Sequence, residues 1–226
     1  MTQIKTLVLR MDTPLNSSEL ARFRGAVIAA VPSHNILFHN HCGSRLRYAY
    51  PLVQYKCIGG KAAIVAIGEG VTVMEELFAG TDFSIRLGKR TIALQIESIK
   101  AEEVKVSQSI VPIVYQLCDW LPFNEANYEH FVSINRMVER VELLERILTG
   151  NILSLFKGLD VFIDFPLHIE IMHYVQKTPV AYKGVKLMCF DVSFMANVLL
   201  PNYVGLGRHS SVGAGLLIRK NNNIQY

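Results

Sequence analysis

The sequence predicts an α+β protein built from two tandem ferredoxin-like halves, the second degenerate, and three observations carry the prediction. Strand and helix signals run β-α-β-β-α-β through the first hundred residues and β-α-β-β through the second, with a terminal strand to close. The pair Gly59-Gly60 stands between two apolar runs, where a tight hairpin needs positive φ. Half of the 226 residues are apolar and 19% are charged, the balance of a globular chain with a substantial core. The halves join near residues 100–108, so the expected domains are 1–107 and 108–226.

Residues 4–11 alternate with Leu7, Leu9 and Met11 on one face, a strand that Pro14 ends. Ser17 or Ser18 caps a helix on which Leu20, Phe23, Val27 and Val31 share a face, and Pro32 stops it. Tyr50–Ile58 and Lys61–Ile67 are the two strands of the Gly59-Gly60 hairpin. Gly68-Glu69-Gly70 leads into a helix over Val71–Phe78 closed by Gly80, and a strand near Arg90–Ser98 completes the first half. RNA-recognition modules use the same arrangement.

In the second half a strand over Ile110–Leu117 meets a turn at Leu121-Pro122-Phe123. One long amphipathic helix follows from Glu125 to Thr149, with Phe131, Ile134, Val138, Val141, Leu144 and Leu148 as its buried seam and Glu142 four residues before Arg146. Gly150 caps that helix, and Asn151 starts a short further one to Lys157. Strands over Pro166–Gln176 and Val185–Phe194 come next. Where a last helix belongs, the chain has the glycine-rich stretch Pro201–Gly215, followed by a terminal strand over Leu216–Arg219.

The net charge of +4 is unevenly spread: residues 1–61 carry +6, residues 62–176 carry −7 and residues 177–226 carry +5. Two basic ends that met in space would make one positive face for a polyanion. Cys42, Cys57, Cys118 and Cys189 are widely spaced with no Cys-x-x-Cys pair, as in a cytoplasmic protein with reduced thiols. Lys5, Arg10 and Asp12 interrupt the N-terminal stretch before an apolar leader could form, and no apolar run approaches the roughly 18 residues of a membrane span. Neither a signal peptide nor a membrane partner is expected.

The chemically dense stretch is His34–Tyr48. His34, His39 and His41, three of the seven histidines, fall within eight residues, with Cys42, Arg45, Arg47 and Tyr48 close behind. Histidine changes charge nearest neutral pH, so a metal site, an acid/base centre for an anionic substrate and a polar turn all compete here. The spacing fits none of the usual structural zinc pairs, and no second Cys/His group stands elsewhere, so no metal is expected. His34 reads as a loop hydrogen-bonder, and His130, His168 and His173 as structural. Gly60-Lys61-Ala62 is no P-loop, because Tyr55 holds the place of its first glycine. Gly205-x-Gly207 lies too near the end for a dinucleotide-binding unit, and no cofactor is expected. Gly205, Gly207, Gly213 and Gly215 instead flank Arg208, His209, Ser210 and Ser211, a pattern that lets backbone N–H groups approach a phosphate.

Gly-x-Gly-x5-Gly-x-Gly after two ferredoxin-like halves resembles the glycine-rich loop of the RAMP superfamily of CRISPR-associated proteins. Three stretches narrow the resemblance: Leu37-Phe38-His39-Asn40-His41 with Tyr48, the run Tyr50–Gly70, and Leu199-Pro-Asn-Tyr-Val-Gly-Leu-Gly. They resemble the "b" branch of the endoribonucleases that cut precursor CRISPR RNA within its repeats. The resemblance implies metal-independent transesterification by the ribose 2′-OH, giving 5′-OH and 2′,3′-cyclic phosphate ends. It implies His41 as the principal acid or base, His39 as its partner and Tyr48 as an orienting group, with Arg45 and Arg47 stabilising phosphate charge. Lys56, Lys61, Arg208, Arg219 and Lys220 become phosphate contacts, and His209 and the four glycines become RNA-binding positions. The expected partner is single-stranded or hairpin CRISPR repeat RNA in the cytoplasm, with effector-complex subunits and a second copy of the chain as further candidates. A non-catalytic RAMP-type RNA-binding subunit of an effector complex is the alternative.

Overall fold

In the computed structural model residues 3–31, 36–39, 41–42, 45–46, 50–75, 77, 84–182 and 184–220 are described, without the side chains of Ile36, His39, His41, Cys42, Arg45 and Leu46. The chain divides into two compact units. One is Gln3–Val104 together with Ser211–Gly213, and the other is Lys105–Ser210 together with the chain from Ala214 onward. Among the described residues no helix is long and apolar enough to cross a membrane.

The N-terminal unit starts with β1 (Gln3–Pro14), then a 3-10 turn at Ser17–Glu19 and α1 (Leu20–Ala30). The turn is held by Asn16, whose backbone N–H donates to the Glu19 carboxylate at 3.2 Å, and not by the serines expected to cap it. Leu20, Phe23, Val27 and Val31 are all buried, as their spacing along one helix face predicts. α2 (Ile36–His39) and the pair β2 (His41–Cys42) and β3 (Arg45–Leu46) follow. β4 (Val53–Ile58) and β5 (Lys61–Ile67) then pair antiparallel around Gly59 and Gly60, whose φ values of 60° and 75° suit the two-residue turn. Beyond α3 (Glu69–Thr72) the one strand expected near Arg90–Ser98 is three: β6 (Ser84–Leu87), β7 (Arg90–Ala93) and β8 (Ile96–Lys105). The Gly88 turn (φ 66°) pairs β6 with β7 as a separate hairpin, and β8 alone joins the main sheet.

That sheet has the order β4-β5-β1-β8. Its four long strands, taken in chain order, stand second, third, first and fourth, the ferredoxin-like arrangement. β1 runs antiparallel to β5, with Leu9 opposite Ile64.

The C-terminal unit repeats the order. β9 (Gln108–Trp120), β10 (Ile169–Tyr182), β11 (Val185–Val198) and β12 (Leu216–Arg219) lie as β10-β11-β9-β12. Between β11 and β12 there is no helix, so the second half is degenerate where the sequence placed its glycine-rich stretch. The helical segment between β9 and β10 differs from expectation. It is α4 (Glu125–Ser133) and α5 (Met137–Gly158), separated by Ile134–Arg136 in extended backbone. Arg140 holds the corner: its Nε–H donates to the Ile134 carbonyl at 2.9 Å, and its guanidinium lies 5.2 Å from the Phe131 ring centre. The three extended residues shift the helical phase. Val138 is therefore exposed, and the buried seam runs through Leu143, Leu144, Ile147, Leu148, Ile152, Leu155 and Phe156.

Gly150 does not end α5, which continues for eight residues beyond it. A Cβ there would meet nothing within 4 Å. Gly150→Ala should therefore raise the unfolding free energy by about 0.5–1 kcal/mol, because alanine loses less backbone entropy in a helix interior. Denaturant titration checks it, and a loss of stability would restore Gly150 as a helix-ending residue.

Candidate active site

The histidine stretch carries α2 and the two-residue pairing of β2 with β3. α2 is anchored from its middle, with Leu37 at 8% and Phe38 at 1% exposure, so two consecutive apolar residues fix the segment to the core. His39 ends α2, His41 opens β2 opposite Leu46, and Arg45 sits opposite Cys42 in β3. Tyr48, Arg47 and His34 lie outside the described residues. Just beyond, Gln54 donates to the Tyr50 hydroxyl at 2.9 Å and to the Pro51 carbonyl at 3.0 Å, tying the start of β4 to the preceding chain. Burial pushes the Tyr50 phenol above its usual pKa.

Two of the expected phosphate contacts are corrected. Lys56 is fully buried in β4, and burial brings its ammonium down to about 7. Its neighbour Tyr55 meets Phe23 of α1 edge-on at 6.0 Å. Strand alternation therefore turns Lys56 to the other face of the sheet, where it is inaccessible to an RNA phosphate. Lys61 is also committed, with its Nζ 2.7 Å from Asp12 and 2.6 Å from Glu97. The hydrogen bonds it donates to Asp12 and Glu97 hold its pKa above the usual value, and with Arg10 on Glu97 at 3.0 Å the group as a whole is neutral.

The glycine-rich stretch is corrected in part as well. A Cβ on Gly215 (φ 61°) would stand 1.8 Å from the Leu206 carbonyl oxygen, and one on Gly207 (φ 84°) would stand 2.7 Å from the Trp120 indole nitrogen. Gly213 (φ 94°) leaves room for Leu20. Gly205 and Gly215 are buried, and Gly205 bridges to Leu216. These glycines admit the chain's own neighbours, so Gly205 and Gly215 are withdrawn as RNA contacts. The stretch also extends a sheet, since the Tyr55 N–H donates to the Ser211 carbonyl at 3.0 Å and Val212 forms a parallel bridge at the β4 edge.

What the stretch exposes is Arg208 and, half-buried, His209. The Arg208 N–H is fixed by the Leu121 carbonyl at 3.1 Å. His209, in left-handed backbone (φ 55°), rests on the Tyr182 ring with centres 3.8 Å apart. Lys220 is exposed and Arg219 half-buried. His130, His168 and His173, read as structural, are solvent-exposed.

Sequence reasoning missed the cluster behind the stretch. Asp119 has left-handed backbone (φ 52°); its N–H donates to the Asp191 carboxylate at 2.8 Å, and its carbonyl accepts the Gly215 N–H at 3.0 Å. Lys177 bonds the Asp119 carboxylate and lies 3.4 Å from that of Asp191; the Asp119 hydrogen bond holds Lys177 above the usual lysine range. Burial, with Asp119 beside it, pushes the Cys189 thiol to about 11, and Cys57, Cys118 and Cys189 are free thiols. The one sequence signal was an acidic residue interrupting an apolar strand just before Trp120. Among the described residues no three His, Cys, Asp or Glu side chains group as metal ligands.

Residues 2–105 match the Cas6b N-terminal domain, and residues 106–220 match the Cas6b C-terminal domain. The chain belongs to the Cas6b family. A crystal structure of Cas6b shares its fold with a TM-score of 0.86 at 23% identity, and one described as the CRISPR RNA processing endoribonuclease Cas6b does so with 0.75 at 22%. Each comparison covers 97% of this Cas6b chain and 100% of the other. An uncharacterized protein of Methanocaldococcus jannaschii is 36% identical over 121 residues, 54% of this chain and 80% of its own.

For this Cas6b chain Gly215→Ala should cost about 3 kcal/mol in denaturant unfolding, through left-handed strain and the Leu206 contact together. A change within the error of the measurement would contradict the packing described. Lys56 gives a pH signature. Its folded pKa lies below the ordinary 10.5, so between about 7 and 10.5 the unfolded chain binds more protons and stability rises with pH. The unfolding free energy of the wild type minus that of Lys56→Met should climb across this window. A flat difference would mean that Lys56 is charged in the folded protein.

Proposed function

We propose that this Cas6b protein cuts precursor CRISPR RNA within its repeats, without a metal, by internal transesterification. Family membership carries the coarser part: the chain is an endoribonuclease of CRISPR RNA processing. The finer part concerns the chemistry. One group takes the proton of a ribose 2′-OH, the 2′ oxygen bonds to the adjacent phosphorus, and the P–O5′ bond breaks. An acid returns a proton to the departing 5′ oxygen, leaving a 2′,3′-cyclic phosphate and a 5′-OH end.

The observation that carries this reading is the His39/His41 pair, set by α2 and β2 on either side of one residue and anchored through Leu37 and Phe38. Histidine, with an ordinary pKa of about 6.5, serves either proton role near neutral pH. We assign the principal role to His41 and the assisting role to His39. Tyr48 orients the phosphate, and Arg45 and Arg47 stabilise the charge on the phosphoryl oxygens. Exposed Arg208 is a further phosphate contact. The substrate, single-stranded or hairpin repeat RNA, is made in the cytoplasm, and this reading puts the protein there.

His41→Ala should bind repeat RNA as the wild type does, yet cleave it about 100-fold or more slowly in EDTA. Single-turnover cleavage with end-group analysis checks both the rate and the cyclic phosphate. Undiminished cleavage by the variant would sink the assignment, as would wild-type cleavage that stops on chelation. Intact RNA held by the wild type would favour a non-catalytic RNA-binding subunit.

A further inference from the structure

We propose that the C-terminal unit carries a two-lobed nucleotide site centred on Arg208, taking an unpaired RNA base in one lobe and its flanking phosphate in the other. The inference rests on the reading that the chain binds repeat RNA and adds to it a place where a single nucleotide is held.

Two cavities, of about 460 and 410 Å³, meet along Asn124 and Arg208, which line both. Each lies within the ~300–1,000 Å³ range of small-ligand sites. The first is walled by Phe123, Leu187 and Met188, with Tyr128 at its edge and 44% exposed. An apolar wall with an exposed aromatic ring suits the flat face of a base. Glu125 and Asn124, with Lys186 and Arg208, supply the polar side of that lobe. A carboxylate there accepts from the exocyclic amino group of a cytosine, adenine or guanine, and the apolar wall with the Tyr128 ring favours a base over the backbone.

The second lobe lacks both the aromatic ring and the carboxylate. Arg146, Asn127 and Asn151 line it with Arg208 and bring no carboxylate. The Asn151 Oδ1 accepts the Trp120 indole N–H at 3.0 Å, which leaves its NH2 as the group it can offer a ligand. Two guanidiniums and amide donors match a phosphate or ribose. Arg208 is held at the ridge by its backbone, through the Leu121 carbonyl, and by Gly207, whose missing Cβ is the space the Trp120 ring occupies. The backbone that carries Arg208 is thus set before a ligand arrives, which reduces part of the ordering cost of binding.

The test pairs protein variants with RNA lacking single bases. The dissociation constants of the wild type, Tyr128→Ala and Tyr128→Trp are measured for intact repeat RNA and for a series in which each nucleotide in turn is abasic. Tyr128 is exposed, so neither variant disturbs the core. Tyr128→Ala should weaken intact RNA about 10-fold, Tyr128→Trp should restore it, and one abasic position should cost the wild type a similar factor. RNA lacking that base should bind the wild type and Tyr128→Ala equally, which identifies the base in the lobe. Arg208→Ala should weaken every RNA in the series by one common factor. If the wild type binds and cuts repeat RNA while Tyr128→Ala costs the same factor on every abasic RNA, or none, the nucleotide site is wrong and the endoribonuclease reading stands. Failure of the wild type to bind or cut repeat RNA would instead overturn the reading on which the site rests.

Discussion

Asp119 adopts left-handed backbone at the last turn of β9, a conformation that costs a non-glycine residue of order 1–3 kcal/mol and persists only where its surroundings over-determine it. Here they do. Its N–H is bonded to Asp191, its carboxylate to Lys177, and its carbonyl to the Gly215 N–H. One residue earlier in β9 and one later past Gly215, Cys118 pairs with Leu216, so the Asp119–Gly215 bond also sets the register in which β12 joins β9. The kink that allows this delivers Trp120 and Leu121 to the glycine-rich stretch, where the indole fills the space beside Gly207 and the Leu121 carbonyl fixes Arg208.

The second half keeps the ferredoxin strand order without its last helix for the same reason. A helix between β11 and β12 would cover the sheet by its apolar face. The stretch before β12 instead buries Leu200, Val204 and Leu206 fully, while Tyr203 and Val204 exchange backbone bonds with Leu217 of β12. Irregular backbone can be buried only if its polar groups are satisfied, and here strand and stretch satisfy one another. Glycine is required wherever that mutual approach is too close for a Cβ. The density of glycines that suggested a phosphate cradle is therefore first a packing requirement, and what faces outward is the pair between the glycines, Arg208 and His209.

Local signals that coincide with the tertiary demand were legible. The Gly59-Gly60 turn, the buried face of α1 and both strand orders follow from chemistry within a few residues. The break at Ile134–Arg136 was not legible, because neither proline nor glycine marks it; a cation from Arg140 stacked on Phe131 and bonded across the corner makes it. Gly150 misled in the opposite sense, since packing of Ile147, Leu148 and Ile152 carries α5 through a residue that reads as a stop. At the candidate site the residue types were legible and their surroundings were not. Nothing in Tyr55-Lys56-Cys57 separates a buried ammonium from a solvated one.

Charge shows why that last distinction matters. Counted by sequence, the chain has two basic ends around an acidic middle, and a polyanion would seem to meet both. A polyanion responds to solvated charge, however, and several of those cations are withdrawn from it. Lys56 is inside the sheet, Lys61 lies between two carboxylates, and Lys177 is bound by Asp119 and Asp191. In the C-terminal unit Lys105, Arg136, Arg146, Lys157, Lys186, Arg208 and Lys220 remain exposed, and three of them border the two cavities. Counterion release from such cations supplies affinity without regard to sequence. Discrimination must then come from fixed positions and a ring to stack on, and the Asp119 kink with the glycines beside it fixes the backbone from which Arg208 projects.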